Sequence, residues 1–334
     1  MTGIKRLVLR AAAAVERAVE RVFFRGDLTR LVIEPYHGYA TPEHLIARGR
    51  VLALRASERA PGGGSRLANA RQMLRLFATH EVADVTVSAG DVTAVSDAEG
   101  YFTLLLPRDG RTGWIDVTVS TGDATATCPV LVADPAAQLM VVSDIDDTMM
   151  RTGAYSTLRN LWTSFTGSVE SREVFGDGVE LMRMLHADGR NPVYFVSSSP
   201  WNFHDFLDDV FARAGLPVAP KFLKDYGFGK DQFITASHGS HKGDAVDRLM
   251  AANPDLPVVL IGDTGQHDAH IYADAAIRHP GRVLHVVLRT TVDGLDTDDR
   301  LQIERLGAVN VPVSVSTDYR DALARLAVAV RPAA

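Results

Sequence analysis

Three carboxylates fall within four residues of this chain, at Asp144, Asp146 and Asp147, directly after a short apolar run. Carboxylates this close to one another repel unless a cation lies among them. Since the segment holds no cysteine and no histidine pair, its oxygen donors suit a hard divalent ion, Mg²⁺ rather than Zn²⁺. The spacing therefore predicts a magnesium site around 144–147.

Three later segments carry groups that could bind an anion or supply a second pair of metal ligands. Residues 197–200 (Ser-Ser-Ser-Pro) offer hydroxyls and free N–H groups at a predicted helix start, which is a ready anion site. Lys242 opens a helical pattern over 242–246, after a polar loop. Asp263 and Asp268 follow another apolar run. A cation site, an anion site and a lysine in one place would suit a phosphate group.

A parallel sheet is the element that would bring these segments together. Four apolar runs, at 139–142, 193–196, 258–261 and 283–288, are typical of strands buried on both faces, and helical patterns lie between them. This alternation predicts an α/β domain with a doubly wound parallel sheet from about residue 136 to the end. Its ligand site is then expected at the carboxyl ends of the strands.

The pattern before residue 136 changes to a period of two. Short runs rich in Val, Thr and aromatic residues are separated by turn clusters, which predicts a small antiparallel β-sandwich over 31–135. Residues 92–102 resemble the strand-turn-strand unit of transthyretin-like sandwiches. No catalytic constellation is evident here, so we expect a structural or interaction role with an unidentified protein partner. Cys128 lies in the apolar run 127–132 and is predicted to be a buried thiol.

Length and charge narrow the function classes. The 334 residues suggest two domains. We place the sandwich at 31–135 and the α/β domain at 136–334, with a separate N-terminal segment at 1–30 before them. A net charge of −6 disfavours nucleic acid as a partner. Only five of the 35 basic residues are lysine, a bias typical of GC-rich bacterial genomes.

The first thirty residues have a net charge of +4, from seven basic and three acidic side chains. Within them, residues 4–24 read as one amphipathic helix. This helix either packs on the protein itself or lies on an anionic membrane surface. No run is long enough to span a bilayer, and charges interrupt any secretory signal, so the expected location is the cytoplasm, with peripheral membrane contact if the helix binds lipid.

The order of the polar segments resembles that of a known superfamily. Asp144, Asp146 and Thr148 match D-x-D-x-T, and residues 262–268 match G-D-x-x-x-x-D, with the hydroxyl segment and a lysine between them. This set resembles the haloacid-dehalogenase-like phosphohydrolases, whose fold is a Rossmann-like doubly wound sheet. The resemblance implies that the chain is a phosphatase.

A closer resemblance covers roughly residues 136–310. The segments 144–148, 195–202, 225–228, 241–242 and 260–268 are similar to the catalytic domain of the actin-patch-type phosphatidate phosphatases. This family implies Mg²⁺-dependent removal of phosphate from phosphatidate or a related lipid. Two alternatives stay open: a phosphatase of a soluble metabolite or phosphoprotein, and a non-catalytic module that binds phosphorylated ligands.

The resemblance also implies a role for each motif residue. Asp144 is the expected nucleophile, Asp146 the general acid and base, and Lys242 the cation that pairs with Asp144 and the phosphate. The expected substrate contacts are Thr148 and Ser197, and Ser198 is the alternative to Ser197. The expected Mg²⁺ ligands are Asp144, Asp146 through its backbone carbonyl, Asp263, and Asp268, which would ligate through water or orient the other ligands.

Some residues leave alternatives. Lys221 and Lys224 also precede the last motif but lack the helical context of Lys242. The histidine pairs 238/241 and 267/270 have metal-like spacing without a cysteine partner, which disfavours zinc. Four aromatic residues line either a lipid entrance or the core: Trp162, Phe165, Trp201 and Phe203.

Overall fold

The computed structural model describes residues 28–55, 80–122, 124–151, 174–224, 238–291 and 294–328. These residues form two sheets, and the chain passes from the first to the second between Val132 and Met140. The helix predicted over 4–24 and the side chains of Trp162 and Phe165 lie outside the described residues. None of the helices described is both long enough and apolar enough to span a membrane.

The first sheet has eight strands whose burial alternates, as a period of two requires. In β7, for example, Ile115 and Val117 are buried whereas Asp116 and Thr118 are exposed. The strands are β1 (Leu28–Ala40), β2 (His44–Arg55), β3 (His80–Glu81), β4 (Thr86–Ala89), β5 (Val92–Val95), β6 (Tyr101–Pro107), β7 (Gly113–Thr121) and β8 (Ala124–Val132).

This sheet is mixed, so the prediction of a purely antiparallel arrangement is wrong at one pairing. β1 runs parallel to β8, with Gly38 opposite Val130, whereas the other pairings are antiparallel. The alternation in 28–40 is broken by a bulge between Tyr36 and Tyr39, which explains why no strand was predicted there. Of the short runs rich in Val and Thr, residues 82–87 form a strand only in part, since β3 ends at Glu81 and β4 begins at Thr86.

Cys128 is fully buried and unbridged in β8, which confirms the predicted core thiol. Burial raises its pKa to about 12. The thiol is therefore neutral at physiological pH and acts as a small packing group.

The second sheet is parallel, with the strand order β11-β10-β9-β12-β13-β14. The four apolar runs are confirmed as strands, and two short strands that the sequence did not predict, β11 and β14, lie at the edges. The elements are β9 (Met140–Asp144), α1 (Gly176–His186), β10 (Val193–Pro200), α2 (His204–Ala214), β11 (Lys221–Lys224), α3 (His238–Ala252), β12 (Val258–Asp263), α4 (Asp268–Arg278), β13 (Val283–Arg289), α5 (Thr297–Ala308), β14 (Val313–Ser316) and α6 (Arg320–Leu326).

Helices cover both faces of this sheet, which explains why its central strands are buried throughout. Residues of α1, α2 and α6 pack in one apolar cluster, and residues of α3, α4 and α5 pack in the other. The chain leaves β9 toward β10 and later returns to β12 on the opposite side. The carboxyl ends of β9 and β12 therefore border the crevice where an α/β sheet binds its ligand.

The segment after β10 differs from the prediction. Ser199 and Pro200 do not begin a helix: β10 extends to Pro200, which pairs with Lys224 of β11, and a short 3₁₀ turn precedes α2. Gly215 ends α2, which it caps in the left-handed conformation at φ +73°. Phe203 is a core residue, and the Trp201 ring stacks on Tyr36 of β1 at 4.5 Å between ring centroids.

Candidate active site

The candidate site lies at the carboxyl ends of β9 and β12. Asp144 is the last residue of β9 and Asp263 the last of β12, and the two strands are paired up to Ser143 and Ile261. Asp268, the first residue of α4, completes the group, and one carboxylate oxygen from each acid lies within 4.8 Å of the others. All three side chains are buried. The structure therefore brings together three of the four predicted metal ligands through their side chains.

Asp268 reaches this position because residue 262 has no side chain. A Cβ atom at Gly262 would lie 2.6 Å from Asp268 Oδ2 and 2.8 Å from the Tyr272 ring. In the actual structure, the Asp263 backbone N–H donates to Asp268 Oδ2 at 3.2 Å. The first position of G-D-x-x-x-x-D must therefore be glycine, because a side chain there would collide with Asp268 and Tyr272.

We expect Gly262→Ala to displace Asp268 and to lower kcat/KM by about 100-fold, the usual cost of misplacing a catalytic group by about 1 Å. Gly243→Ala is the matched control, because the nearest atom to its added methyl would be 3.9 Å away and alanine favours a helix. Steady-state kinetics of both variants, with thermal melting to confirm folding, would measure the effect. Equal activity in the two variants would contradict the steric argument.

Lys242 links two of the three acids. Its Nζ lies 2.7 Å from Asp144 Oδ1 and 2.6 Å from Asp268 Oδ1, and the side chain is buried. The residue sits in the second turn of α3, so the prediction that Lys242 opens the helix is wrong, since α3 begins at His238. Of its rivals, Lys221 pairs instead with Asp208 of α2, and Lys224 is the last residue of β11.

Among the described residues, the basic side chains around this group do not balance its acids. Burial and repulsion from the neighbouring acids raise the pKa of Asp263 to about 9, and burial raises the pKa of Asp144 well above its usual range. Burial by itself would lower the pKa of Lys242, but attraction to the carboxylates of Asp144 and Asp268 has the larger effect. The pKa of Lys242 is therefore raised. One ammonium thus faces three acids, an arrangement that a bound cation would stabilise.

Two of the carboxylate oxygens are available as ligands. Within the described part of the chain, the buried Asp144 Oδ2 and Asp263 Oδ1 have no hydrogen-bond partner. Buried charged oxygens without partners are costly. A hard divalent cation prefers this donor set, so the residues present fit a Mg²⁺ ion.

Asp146 is held apart from the other acids by two serines. Its Oδ2 accepts hydrogen bonds from Ser197 Oγ at 2.7 Å and from Ser199 Oγ at 2.9 Å. The Ser199 backbone N–H in turn donates to Ser197 Oγ at 2.9 Å. Ser197 therefore orients the predicted acid-base residue, a contact that the sequence did not indicate, and Ser198 is half-buried between the two.

Two residues that sequence reasoning missed complete this part of the site. Ser199, predicted as a helix cap, holds Asp146 instead. Gln266 lies inside the last motif, and its Nε2 donates to the Asp146 backbone carbonyl at 2.9 Å, the oxygen assigned to the metal. Gln266 is a polar residue within the G-D-x-x-x-x-D loop, and this position is the sequence signal that could have singled it out.

Thr148 is buried in the tight turn that follows Asp146. Asp147 adopts the left-handed conformation at φ +56°, and its N–H donates to the Met150 carbonyl at 2.8 Å. The Thr148 carbonyl accepts a hydrogen bond from Tyr319 at 3.0 Å, while its Oγ1 has no partner among the described residues. The turn fixes D-x-D-x-T rigidly, and the role of Thr148 in substrate binding stays a prediction.

Comparison with known proteins identifies the segment that carries this site. Residues 139–290 match the family described as "Phosphatidate phosphatase APP1, catalytic domain". The Saccharomyces cerevisiae protein named "Phosphatidate phosphatase APP1" is 30% identical over 151 residues, which cover 45% of this chain and 25% of that protein. The match covers just under half of the chain, and over this segment the chain is similar to the catalytic domain. All the motif residues, from Asp144 to Asp268, lie within the APP1 catalytic-domain match.

A second relative is an uncharacterized protein of Schizosaccharomyces pombe, 29% identical over 154 residues, or 45% of this chain and 25% of that protein. The chain thus spans about a quarter of the length of the relatives it matches. Both are fungal, and the predicted bacterial source stays a prediction. The solved structure titled "Structure of Pnkp1/Rnl/Hen1 complex" aligns with 57% of this chain and 54% of its own at 12% identity, with a TM-score of 0.31, too low to infer a shared fold.

Proposed function

We propose that this chain is a Mg²⁺-dependent phosphomonoesterase that acts through an aspartyl-phosphate on phosphatidate or a related lipid phosphate. In this proposal residues 136–334 are a haloacid-dehalogenase-like domain, preceded by a transthyretin-like sandwich. The observation that carries it is the placement of Asp144, which ends β9 with Lys242 at 2.7 Å and Asp263 and Asp268 beside it. The choice of a lipid substrate rests on similarity to the yeast relative, which is named a phosphatidate phosphatase.

The first chemical step uses two carboxylates with different surroundings. An oxygen of Asp144 attacks phosphorus, and the bond between phosphorus and the leaving alkoxide breaks. Asp146 donates a proton to that alkoxide, and the serine hydroxyls that hold its Oδ2 fix the direction of transfer. Since Asp144 contacts Lys242 and Asp146 contacts serines, the two acids can take different roles.

The second step regenerates the enzyme. Asp146, now ionised, takes a proton from water, and the resulting hydroxide attacks the phosphorus of the Asp144 acyl phosphate. Inorganic phosphate leaves and Asp144 is restored as a carboxylate. Lys242, whose Nζ lies 2.7 Å from Asp144 Oδ1, stabilises the negative charge on the transferring phosphoryl oxygens.

The residues that would hold Mg²⁺ are Asp144, Asp263 and the Asp146 carbonyl, with Asp268 oriented by Lys242 and the Asp263 N–H. When bound, the ion would supply positive charge to the phosphoryl group and relieve the repulsion between the acids.

We expect phosphate release to stop when the metal is chelated, and Ca²⁺ to inhibit in the presence of Mg²⁺ by at least about tenfold, or about 1.4 kcal/mol of activation free energy. The larger ion takes more ligands at longer distances and distorts the geometry around Asp144 and Asp263. Titration of each cation into chelator-treated enzyme would measure this. Chelator-resistant turnover, or full activity with Zn²⁺ alone, would count against the proposal.

The substrate class is tested by phosphate release from a panel of phosphomonoesters in Mg²⁺. The panel holds phosphatidate in vesicles, short-chain soluble phosphatidate, a sugar phosphate, a phosphopeptide and an aryl phosphate. Preference for both forms of phosphatidate supports the lipid proposal. Preference for the sugar phosphate or phosphopeptide supports the soluble alternative. No release from any of them, the aryl phosphate included, would leave only the binding-module alternative.

A further inference from the structure

A second group of metal-type ligands lies where the two sheets meet, away from the carboxylates described above. His37 of β1 and His204 and Asp208 of α2 each offer one ligand atom, and these atoms all lie within 4.8 Å of one another. We call these three residues the interface cluster. Nothing in the proposed phosphatase chemistry uses them.

Secondary structure and one arginine hold the interface cluster in place. His204 and Asp208 are four residues apart on α2 and therefore share a face of the helix. Arg48 fixes His37 from the other side, since its Nε and Nη2 donate to the His37 carbonyl at 3.0 and 2.8 Å. Arg48 Nη2 also donates to the Lys221 carbonyl at 2.8 Å, so β1 is fastened to β11 beside the cluster.

One of the distances within the interface cluster matches that between ligands of a single small cation, and another is somewhat longer. Asp208 Oδ2 lies 3.3 Å from His204 Nδ1 and 3.9 Å from His37 Nδ1. Two donors at the usual bond lengths to tetrahedral Zn²⁺ are separated by about 3.3 Å. A shift of about 0.6 Å in His37 would bring its nitrogen from 3.9 Å to that distance.

The chemistry of the donors also points to a metal. His204 is 4% exposed, and the buried His37 Nδ1 has no hydrogen-bond partner within the described ranges. The other oxygen of Asp208 pairs with Lys221, which leaves Oδ2 facing the two rings.

We propose that the interface cluster binds one divalent transition-metal ion of the zinc class. Two imidazoles and one carboxylate suit Zn²⁺ or Co²⁺ and are poor ligands for Mg²⁺ or Ca²⁺. Asp205 Oδ1, 3.4 Å from His204 Nδ1, or a water would supply the fourth ligand. The ion would join β1 of the first sheet to α2 of the second, next to the segment that holds Asp146.

The test uses the full chain in excess Mg²⁺, which occupies hard oxygen sites, titrated with Co²⁺ and then with Zn²⁺. Wild type should bind one equivalent of Co²⁺ with the strong visible absorption of a tetrahedral site, and Zn²⁺ should displace it and raise the melting temperature. His37→Gln should weaken binding by more than the about 10- to 100-fold typical of losing an outer-sphere partner. His37 is partly exposed, so this variant should fold, and its melting temperature without added metal checks that it does.

Two controls separate this site from the rest of the molecule. His270→Gln removes an exposed histidine that also lies 3.3 Å from an aspartate four residues on, Asp274. Among the described residues no second histidine joins that pair, so this variant should bind Co²⁺ as wild type does. Asp263→Asn, which alters the carboxylate site, should also retain Co²⁺ binding. Equal affinity in wild type and His37→Gln, no tetrahedral absorption in wild type, or loss of binding in Asp263→Asn would overturn the proposal, whatever the outcome for phosphatase activity.

Discussion

Asp144→Asn is expected to lower phosphate release by at least about 1,000-fold, which corresponds to about 4 kcal/mol of activation free energy. The amide has the same shape as the carboxylate but cannot attack phosphorus to form the acyl phosphate. Because Asp144 is one of three buried acids beside a single lysine, loss of its charge should leave the fold intact. Steady-state kinetics and thermal melting together measure both parts of the expectation.

Asp147→Asn is the matched control for this substitution. Asp147 is a neighbouring acid of the same motif, but it occupies the left-handed region, where asparagine is readily accommodated. This variant should keep activity within a few-fold of wild type. An Asp144→Asn enzyme that still turns over at the wild-type rate would remove Asp144 as the nucleophile.

Lys242→Met is expected to lower both activity and stability. Removal of one partner of a buried ion pair typically costs about 3–5 kcal/mol of unfolding free energy, because the remaining charge is left uncompensated. Here two carboxylates, Asp144 and Asp268, would lose their shared cation. Saturating Mg²⁺ should recover part of the stability, but not the turnover, since the lysine also faces the transferring phosphoryl group.

Lys221→Met is a suitable comparison, because Lys221 is also buried and also paired with an aspartate, Asp208. It should lose stability by a similar mechanism and retain phosphate release once folded. Urea unfolding with and without Mg²⁺, combined with kinetics, distinguishes the two lysines. If Lys242→Met kept wild-type turnover, its role would be structural only.

The sequence was most informative where motif spacing and strand ends coincide. Asp144 and Asp263 each follow a continuous apolar run, and such a run between helical patterns is typical of a central strand of a parallel sheet. Adjacent parallel strands end at the same edge, so the convergence of these acids follows from the order of elements. Lys242 was correctly preferred over Lys221 as the lysine near them, even though its place within α3 was not.

The errors arise where tertiary pairing overrides local signals. Ser199 and Pro200 are typical of a helix start, but pairing of Pro200 with Lys224 extends β10 through them. β11 was not predicted, because four residues carry too little period to be recognised. The parallel pairing of β1 with β8 joins segments far apart in the chain, and no local pattern specifies it.

Side-chain partners were equally hidden. The hydrogen bonds from Ser197 and Ser199 to Asp146 depend on the extended course of β10, which places both hydroxyls on one side of the strand. The interface cluster combines one histidine of the first sheet with a helix of the second, and each residue looks unremarkable in its own segment. Such contacts require the packing of the two sheets to be known.

The most direct test of the central claim is to trap the phosphoryl group on Asp144. Asp146→Asn cannot deprotonate the hydrolytic water, but an aryl phosphate needs little help from an acid to leave, so the acyl phosphate should accumulate in Mg²⁺. After rapid denaturation, peptide mass spectrometry should find one phosphoryl group per chain on the peptide that contains Asp144, and none when Asp144→Asn is added to the same chain. A phosphoryl group on any other residue, or turnover of the aryl phosphate by the double variant, would contradict the account.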